Sequence, residues 1–282
     1  MQKIIKEVDK EKGIVQITTP DERWYVKDVK NKDTGIPEYS FAPSSTWICE
    51  FYPKGLQFYK WLAQKGWDES EAIKEAAGNK GSKVHMAIEK LLLGEEVKME
   101  DKFLNKGTGE EEELSLEEYE AIMSFAEWHA EVKPKSIRTE YTVFNDEHGY
   151  AGTIDFVCEI EGKLWIIDFK TSASIWPSYE LQISSYKHAY ADKVVINNTA
   201  FEFDKIQLGI LQLGYKRNKY KKYKFTEVED QFDLFLGARK VWEKENKNVK
   251  PQQKDFPLSL QLTMETSVTA TGSTENSKPE EK

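Results

Sequence analysis

The chain has 282 residues, 49 acidic and 40 lysine or arginine, for a net charge of −9 and a pI near 5.2. That length can bury a sizeable core in one large or two small domains, and the acidity argues mildly against general affinity for nucleic acid. Two cysteines, Cys49 and Cys158, exclude a disulfide framework; with no basic apolar leader and no run long enough to cross a bilayer, a soluble cytoplasmic protein is expected.

Residues 1–40 read as extended pieces at Gly13–Thr18, Arg23–Val29 and Tyr39–Phe41, a small β-meander. Arg23, Trp24 and Tyr25 could touch a substrate, but aromatic residues in a meander are more often core. Pro43-Ser44-Ser45-Thr46 starts a helix, with apolar residues at helical spacing from Trp47 to Gln64. Asp68-Glu69-Ser70-Glu71 has the form of a capping box for a short helix stopping at Gly78. A further helix is expected over Ser82–Leu93, with Val84, Ile88 and Leu91 inward and His85 at the edge of the stripe. A lone histidine there is ordinarily a satisfied core residue.

Gly94–Gly109 reads as a charged connector, and the acidic run Glu110–Glu113 as a solvated one. Ser115-x-x-Glu118 is a second capping box, opening a helix to Val132 with Tyr119, Ile122, Met123 and Ala126 inward; Pro134 closes it. Ile137–Phe144 follows as a strand. Beyond a central hairpin come a loop over Ser172–Ser178, a helix over Tyr179–Ala191 and a strand over Lys205–Tyr215. The run GYKRNKYKKYKF combines six basic residues with three tyrosines. Lys216, Arg217, Lys219 and Tyr220 would suit a nucleic-acid groove, since cations follow phosphates and bases stack on rings. A solvated hairpin with a lysine-rich edge reads equally well. Glu229–Asn246 is a final amphipathic helix carrying Phe232, Phe235, Leu236, Val241 and Trp242. Residues 263–282 hold too little apolar surface to fold and are expected to form a disordered tail.

The centre of the chain carries the chemistry. Gly152–Ile160 and Lys163–Thr171 are β-rich segments joined across Glu161-Gly162, a hairpin signature. If Glu161 and Gly162 form the loop, Ile160 pairs with Lys163, and Asp155 falls opposite Asp168. Lys170 then projects from the same face as Asp168. Opposed carboxylates repel and need something positive between them. A hard divalent cation such as Mg2+ or Mn2+ answers that need, and Lys170 beside it could steady charge on a phosphate. A purely structural ion pair of Lys170 with Asp155 or Asp168 is the alternative.

These residues fall into a pattern. Gly152-x-x-Asp155, Asp168-x-Lys170-Thr171 and Gln182-x-x-x-Tyr186, preceded by Gly81-x-x-x-His85, together resemble the PD-(D/E)XK nuclease superfamily and its RecB-like exonuclease branch. The likeness spans roughly residues 80–190, and the wider layout is similar to enzymes of that branch encoded by phages and mobile elements. It implies a restriction-endonuclease-like α/β fold: a mixed central sheet flanked by helices in a domain over 43–262, behind an N-terminal β extension over 1–42. It implies that Asp155, Asp168 and His85 hold one or two Mg2+ or Mn2+ ions, with Lys170 as the catalytic lysine. Gln182 and Tyr186, one helical turn apart, would line the site and position DNA. Glu140 matches an additional acidic position of some relatives, and Thr171 lies beside the lysine; both are candidate substrate contacts. The four-cysteine iron–sulfur cluster of some members is excluded within one chain by the cysteine count.

The expected activity is therefore metal-dependent exonucleolytic hydrolysis of DNA in recombination or repair, in the cytoplasm or, for a phage enzyme, the host's cytoplasm. A recombination or single-strand-binding protein is a candidate partner, and no membrane is involved. A structure-specific endonuclease and a catalytically silent nucleic-acid-binding protein are the alternatives.

Overall fold

The computed structural model describes residues 4–9, 13–19, 22–30, 37–196, 199–215, 222–247 and 249. Met1–Pro251 forms one compact unit. The expected disordered tail, and with it Leu262 and beyond, lies outside the described residues, as do Lys216, Arg217, Lys219 and Tyr220.

The chain opens with β1 (Ile4–Asp9), β2 (Ile14–Thr18), β3 (Arg23–Lys30) and β4 (Pro37–Pro43), an antiparallel meander in the order β1-β2-β3-β4. It has one strand more than the sequence pattern suggested. Trp24 and Tyr25 are buried, as meander aromatics usually are. Helices α1 (Ser45–Cys49), α2 (Leu56–Lys65) and α3 (Trp67–Leu92) follow, then the short pair β5 (Lys102–Leu104) and β6 (Glu111–Glu113), and α4 (Leu116–Val132). The central sheet is built from β7 (Lys135–Asn145), β8 (Tyr150–Ile160) and β9 (Lys163–Lys170). After α5 (Pro177–Ala189) and a small ladder of β10 (Val195–Ile196) with β11 (Thr199–Ala200), it is completed by β12 (Gln207–Leu213) and β13 (Tyr223–Val228); α6 (Phe232–Glu245) is the last element among the described residues.

Five strands in the order β13-β12-β9-β8-β7 make a mixed sheet, with β12 parallel to β9 and every other neighbour antiparallel. Strand β9 is central, and Leu164–Phe169 is buried throughout, as an apolar run covered on both faces requires. Phe156, Cys158, Trp165, Ile167 and Phe169 point to one face, where they meet Val84 and Ile88 of α3 and Phe125 and Trp128 of α4. Helix α5 lies against β7, β8, β9 and β12, and α6 packs on α5. The protein is thus mixed α/β, a five-strand mixed sheet flanked by helices.

Three helix expectations need correction. The helix expected over Trp47–Gln64 is two helices, because Pro53 and Gly55 interrupt it: proline removes an amide donor and glycine forfeits backbone entropy. The capping box at Asp68–Glu71 and the stop at Gly78 do not form. Helix α3 starts at Trp67, behind an N-cap at Gly66 whose φ is 77°, and runs unbroken through Gly78 and Gly81. Each internal glycine costs about 1 kcal/mol, which the packing of Val84, Ala87 and Ile88 further along offsets. In α4 the inward residues are Glu118, Ala121, Ile122, Ser124, Phe125 and Trp128, while Met123 and Ala126 face outward. Trp128 sets that face, since its ring stacks on Phe225 of β13.

The capping box of α4 does form: Ser115 Oγ accepts from the Glu118 amide at 3.3 Å and Glu118 Oε2 from the Ser115 amide at 2.7 Å. Glu118 also meets Lys83 of α3 at 2.9 Å, both side chains nearly buried, so a surface signature becomes an interior tie between helices. Replacing Glu118 with Ala removes a cap and leaves a buried ammonium with Glu112 at 3.6 Å and the Glu113 carbonyl, to which it donates at 3.3 Å. The expected loss is about 3 kcal/mol in urea unfolding, against less than half that for Lys80→Ala, which breaks an exposed pair with Glu117.

Candidate functional site

Glu161 and Gly162 both have positive φ, 49° and 78°, the backbone of a two-residue hairpin turn that matches the strand twist. The turn sets Ile160 against Lys163 and carries the register to Phe156 against Ile167, as the sequence spacing implies. One step further Asp155 is level with Asp168. There the ladder gives way, and the Phe169 amide donates instead to Asp155 Oδ2 at 2.7 Å. On the other side β7 pairs Thr139 with Phe156 and Tyr141 with Ile154, which leaves Glu140 level with Asp155. Glu140 has a φ of 46°, a left-handed backbone costing an L-residue about 1 kcal/mol. Three acidic residues therefore stand in a row across three adjacent strands.

His85 approaches this row from α3. Its Nε2 donates to the Phe169 carbonyl at 3.0 Å, and its Nδ1 lies 3.3 Å from Asp155 Oδ1. The carbonyl thus holds the outer ring nitrogen and turns the inner one toward the acids. His85, Glu140 and Asp155 each offer a ligand atom, all within 4.8 Å of one another. Burial alone would depress the His85 pKa, but the Asp155 charge and hydrogen bond, helped by Glu140, lift it to about 9. Burial works to raise Asp155, and the His85 charge, with Lys170 and the Phe169 amide, brings it below the usual carboxylate range.

Asp168 differs. It is 1 % exposed, and burial lifts its pKa to about 6 against the pull of Lys170, with the Asp155 charge adding to the rise. Lys170 Nζ stands 2.6 Å from Asp168 Oδ2, a charge pairing without hydrogen-bond alignment, and Oδ1 has no donor among the described residues. A buried carboxylate oxygen left in this state is costly unless something positive meets it.

Lys170 is held on its other sides too. It donates to Gln182 Oε1 at 3.2 Å and sits 4.7 Å above the Tyr179 ring. Gln182 Nε2 in turn donates to Tyr186 Oη at 2.6 Å and Thr46 Oγ1 at 3.2 Å. The structure therefore gathers His85, Glu140, Asp155, Asp168, Lys170, Gln182 and Tyr186 at one place, with Thr171 directly beyond β9. Tyr186 is buried beneath the others, supporting Gln182. Of the two glycines in the pattern, Gly152 has a steric reason, since a Cβ there would run into the Tyr186 ring; at Gly81 a Cβ would make only an ordinary contact with Thr171 Oγ1 at 3.6 Å.

Sequence reasoning missed Thr46, Tyr179 and Gln212. The last is buried in β12, level with Lys170, and its Nε2 donates to the Ser172 carbonyl at 3.0 Å, fixing the loop after β9. Tyr179 was legible as a ring one turn before Gln182's face, whereas nothing local ties Thr46 to a glutamine 136 residues away.

The donor set of imidazole, carboxylates and an unmet buried oxygen is chemically suited to a hard divalent cation. No protein-family model matches the chain, and no curated protein matches it in sequence.

Gly152→Ala should force the Tyr186 ring away and loosen its bond to Gln182. A loss of about 1–3 kcal/mol is expected in thermal or urea unfolding, and Gly152→Ala with Tyr186→Ala should cost less than the sum of the single changes.

Proposed function

We propose that this protein is a divalent-metal-dependent deoxyribonuclease of the PD-(D/E)XK type, on a restriction-endonuclease-like fold. The single observation that carries the reading is Asp168: a buried carboxylate with an unmet oxygen, held by Lys170 and level with Asp155. The order of the motifs and the mixed five-strand sheet support it. Exonuclease action, and a place in recombination or repair, rest on the likeness to the RecB-like branch.

Asp155 and Asp168 would hold the cation, with His85 and Glu140 completing the set. When bound, such an ion supplies positive charge to a phosphate oxygen and makes water more acidic at neutral pH. Lys170 places a second positive charge beside the same point. Its neighbours are a carboxylate, an amide oxygen and an aromatic face, all of which favour a cation, so its part is to steady negative charge on the scissile phosphate. Gln182 positions that ammonium and is itself held by Thr46 and Tyr186. When water attacks a phosphodiester, the Lys170 ammonium steadies the negative charge that builds on the phosphate oxygens, beside the positive charge that a bound ion would supply.

Two measurements test this. Asp168→Ala should lower degradation of end-labelled linear DNA in Mg2+ or Mn2+ by roughly a thousand-fold or more without unfolding the chain, and EDTA should silence the wild type. Retained activity in a clean preparation of the variant would refute the assignment. Independently of activity, Mn2+ at a hundred times its dissociation constant should stabilise the wild type by about 2.7 kcal/mol in thermal unfolding, and Asp155→Ala should abolish that gain.

A further inference from the structure

Helix α2 buries none of its residues, although it reads LQFYKWLAQK. The residues of α3 from 71 to 78 are likewise all exposed. Together they form a helical arm whose two roots both lie at the site. One root is α1, whose Thr46 Oγ1 accepts from Gln182 at 3.2 Å; the other is the turn of α3 that carries His85. A brace closes its base, where Asn79 Oδ1 accepts from the Gly107 amide at 3.1 Å and Lys80 pairs with Glu117 at 2.6 Å. From Asn79 back to Trp67 the helix extends about 18 Å beyond that brace.

The two limbs of the arm differ in composition: the α3 limb carries Asp68, Glu69, Glu71 and Glu75 with Lys74, whereas the first limb carries no acid. Phe51–Trp67 holds six aromatic residues, three lysines and no acidic residue, against a net charge of −9 overall. Phe58, Trp61 and Leu62 are half-buried on the face of α2 that packs on α3. Leu56, Tyr59 and Lys60 share the opposite face, with Leu56 68 % and Tyr59 53 % exposed, and Trp67 at the tip is 70 % exposed. Lys54 and Lys65 have ion-pair partners, Glu50 and Glu69, whereas Lys60 has none among the described residues.

Exposed rings beside a lysine are what an unpaired nucleotide strand recognises, because every base has a face to stack and every phosphate a charge to meet. A duplex hides its base faces and would find only the lysines. A protein partner fits less well, since lysine is depleted from the centres of protein interfaces and here it stands one turn from the exposed leucine and beside the tyrosine. We propose that the α2–α3 arm binds single-stranded DNA, stacking bases on Tyr59 and Trp67 and meeting the backbone with Lys60. The direction of that strand, toward the acidic row, rests on the nuclease reading; the binding itself does not.

The test is fluorescence anisotropy of a labelled 20-nucleotide oligo-dT with the full chain in EDTA, so that cleavage plays no part. Tyr59→Ala and Trp67→Ala should each weaken binding about ten-fold, and Trp67→Phe should keep most of the affinity. Lys60→Gln should cause a smaller loss that fades as salt rises. In the Tyr59→Ala and Trp67→Ala variants, blunt duplex binding and the melting temperature should not change. Unchanged oligo-dT affinity in both aromatic variants, or an equal loss on duplex, would overturn the proposal. So would sedimentation in which the wild type self-associates and Trp67→Ala is monomeric, for the face would then be a contact between copies. A chain that loses oligo-dT binding with these variants yet cleaves no DNA in any divalent metal would leave the arm in place and remove the nuclease.

Discussion

Charge repulsion inside the sheet governs this structure. Asp155 and Asp168 are level on adjacent strands, both nearly buried, and neither can be ionised there without a positive neighbour. The chain meets the two in different ways. Asp155 takes the Phe169 amide and faces His85, and its carboxyl becomes more acidic than usual. Among the described residues Asp168 receives only Lys170, imperfectly aligned, and its carboxyl is less acidic than usual. One of the pair is thus satisfied by the protein, and the other is left short. That residual cost, at one point of a well-packed sheet, is what the proposed cation would relieve.

Much of the remaining architecture keeps that point rigid. The Glu161-Gly162 turn sets the register, and a slip of one residue would send Asp155 and Asp168 to opposite faces. Gly152 leaves room for the Tyr186 ring, which supports Gln182, which supports Lys170. Behind them Trp24 of the meander, Trp47 of α1 and Trp242 of α6 meet edge to face, with ring centres 5.1 to 5.9 Å apart. That cluster joins three distant segments of chain and anchors α1, whose Thr46 accepts from Gln182. The meander also touches the acidic strand through Tyr25, whose hydroxyl lies 2.8 Å from Thr153 Oγ1. Against this fixed background the α2–α3 arm is the part that carries its apolar surface outward.

The parts of the fold legible from sequence are those fixed by local rules. The hairpin register follows from two residues with positive φ and a period of two, so the opposition of Asp155 and Asp168 could be read before any coordinates. The α4 cap was equally local. What could not be read depends on distant partners. Pro53 and Gly55 do break the first helix, but Gly78 and Gly81 do not break α3, because Val84, Ala87 and Ile88 pack deeply enough to carry the helix through them. The inward face of α4 was misplaced because Trp128 stacks on Phe225, a residue 97 positions later. In the site, Glu140 is already a candidate on the strand before the hairpin, whereas Thr46 and Gln212 join it only through tertiary contacts.

The central claim is that the deficit at Asp168 is met by a cation shared with Asp155. The most direct measurement is anomalous diffraction from crystals soaked in Mn2+, read at the manganese edge. A peak about 2.1–2.2 Å from a carboxylate oxygen of both Asp155 and Asp168, with Lys170 no longer 2.6 Å from Asp168 Oδ2, is the predicted result. Manganese bound elsewhere, or absent while Lys170 keeps Asp168 to itself, would contradict it.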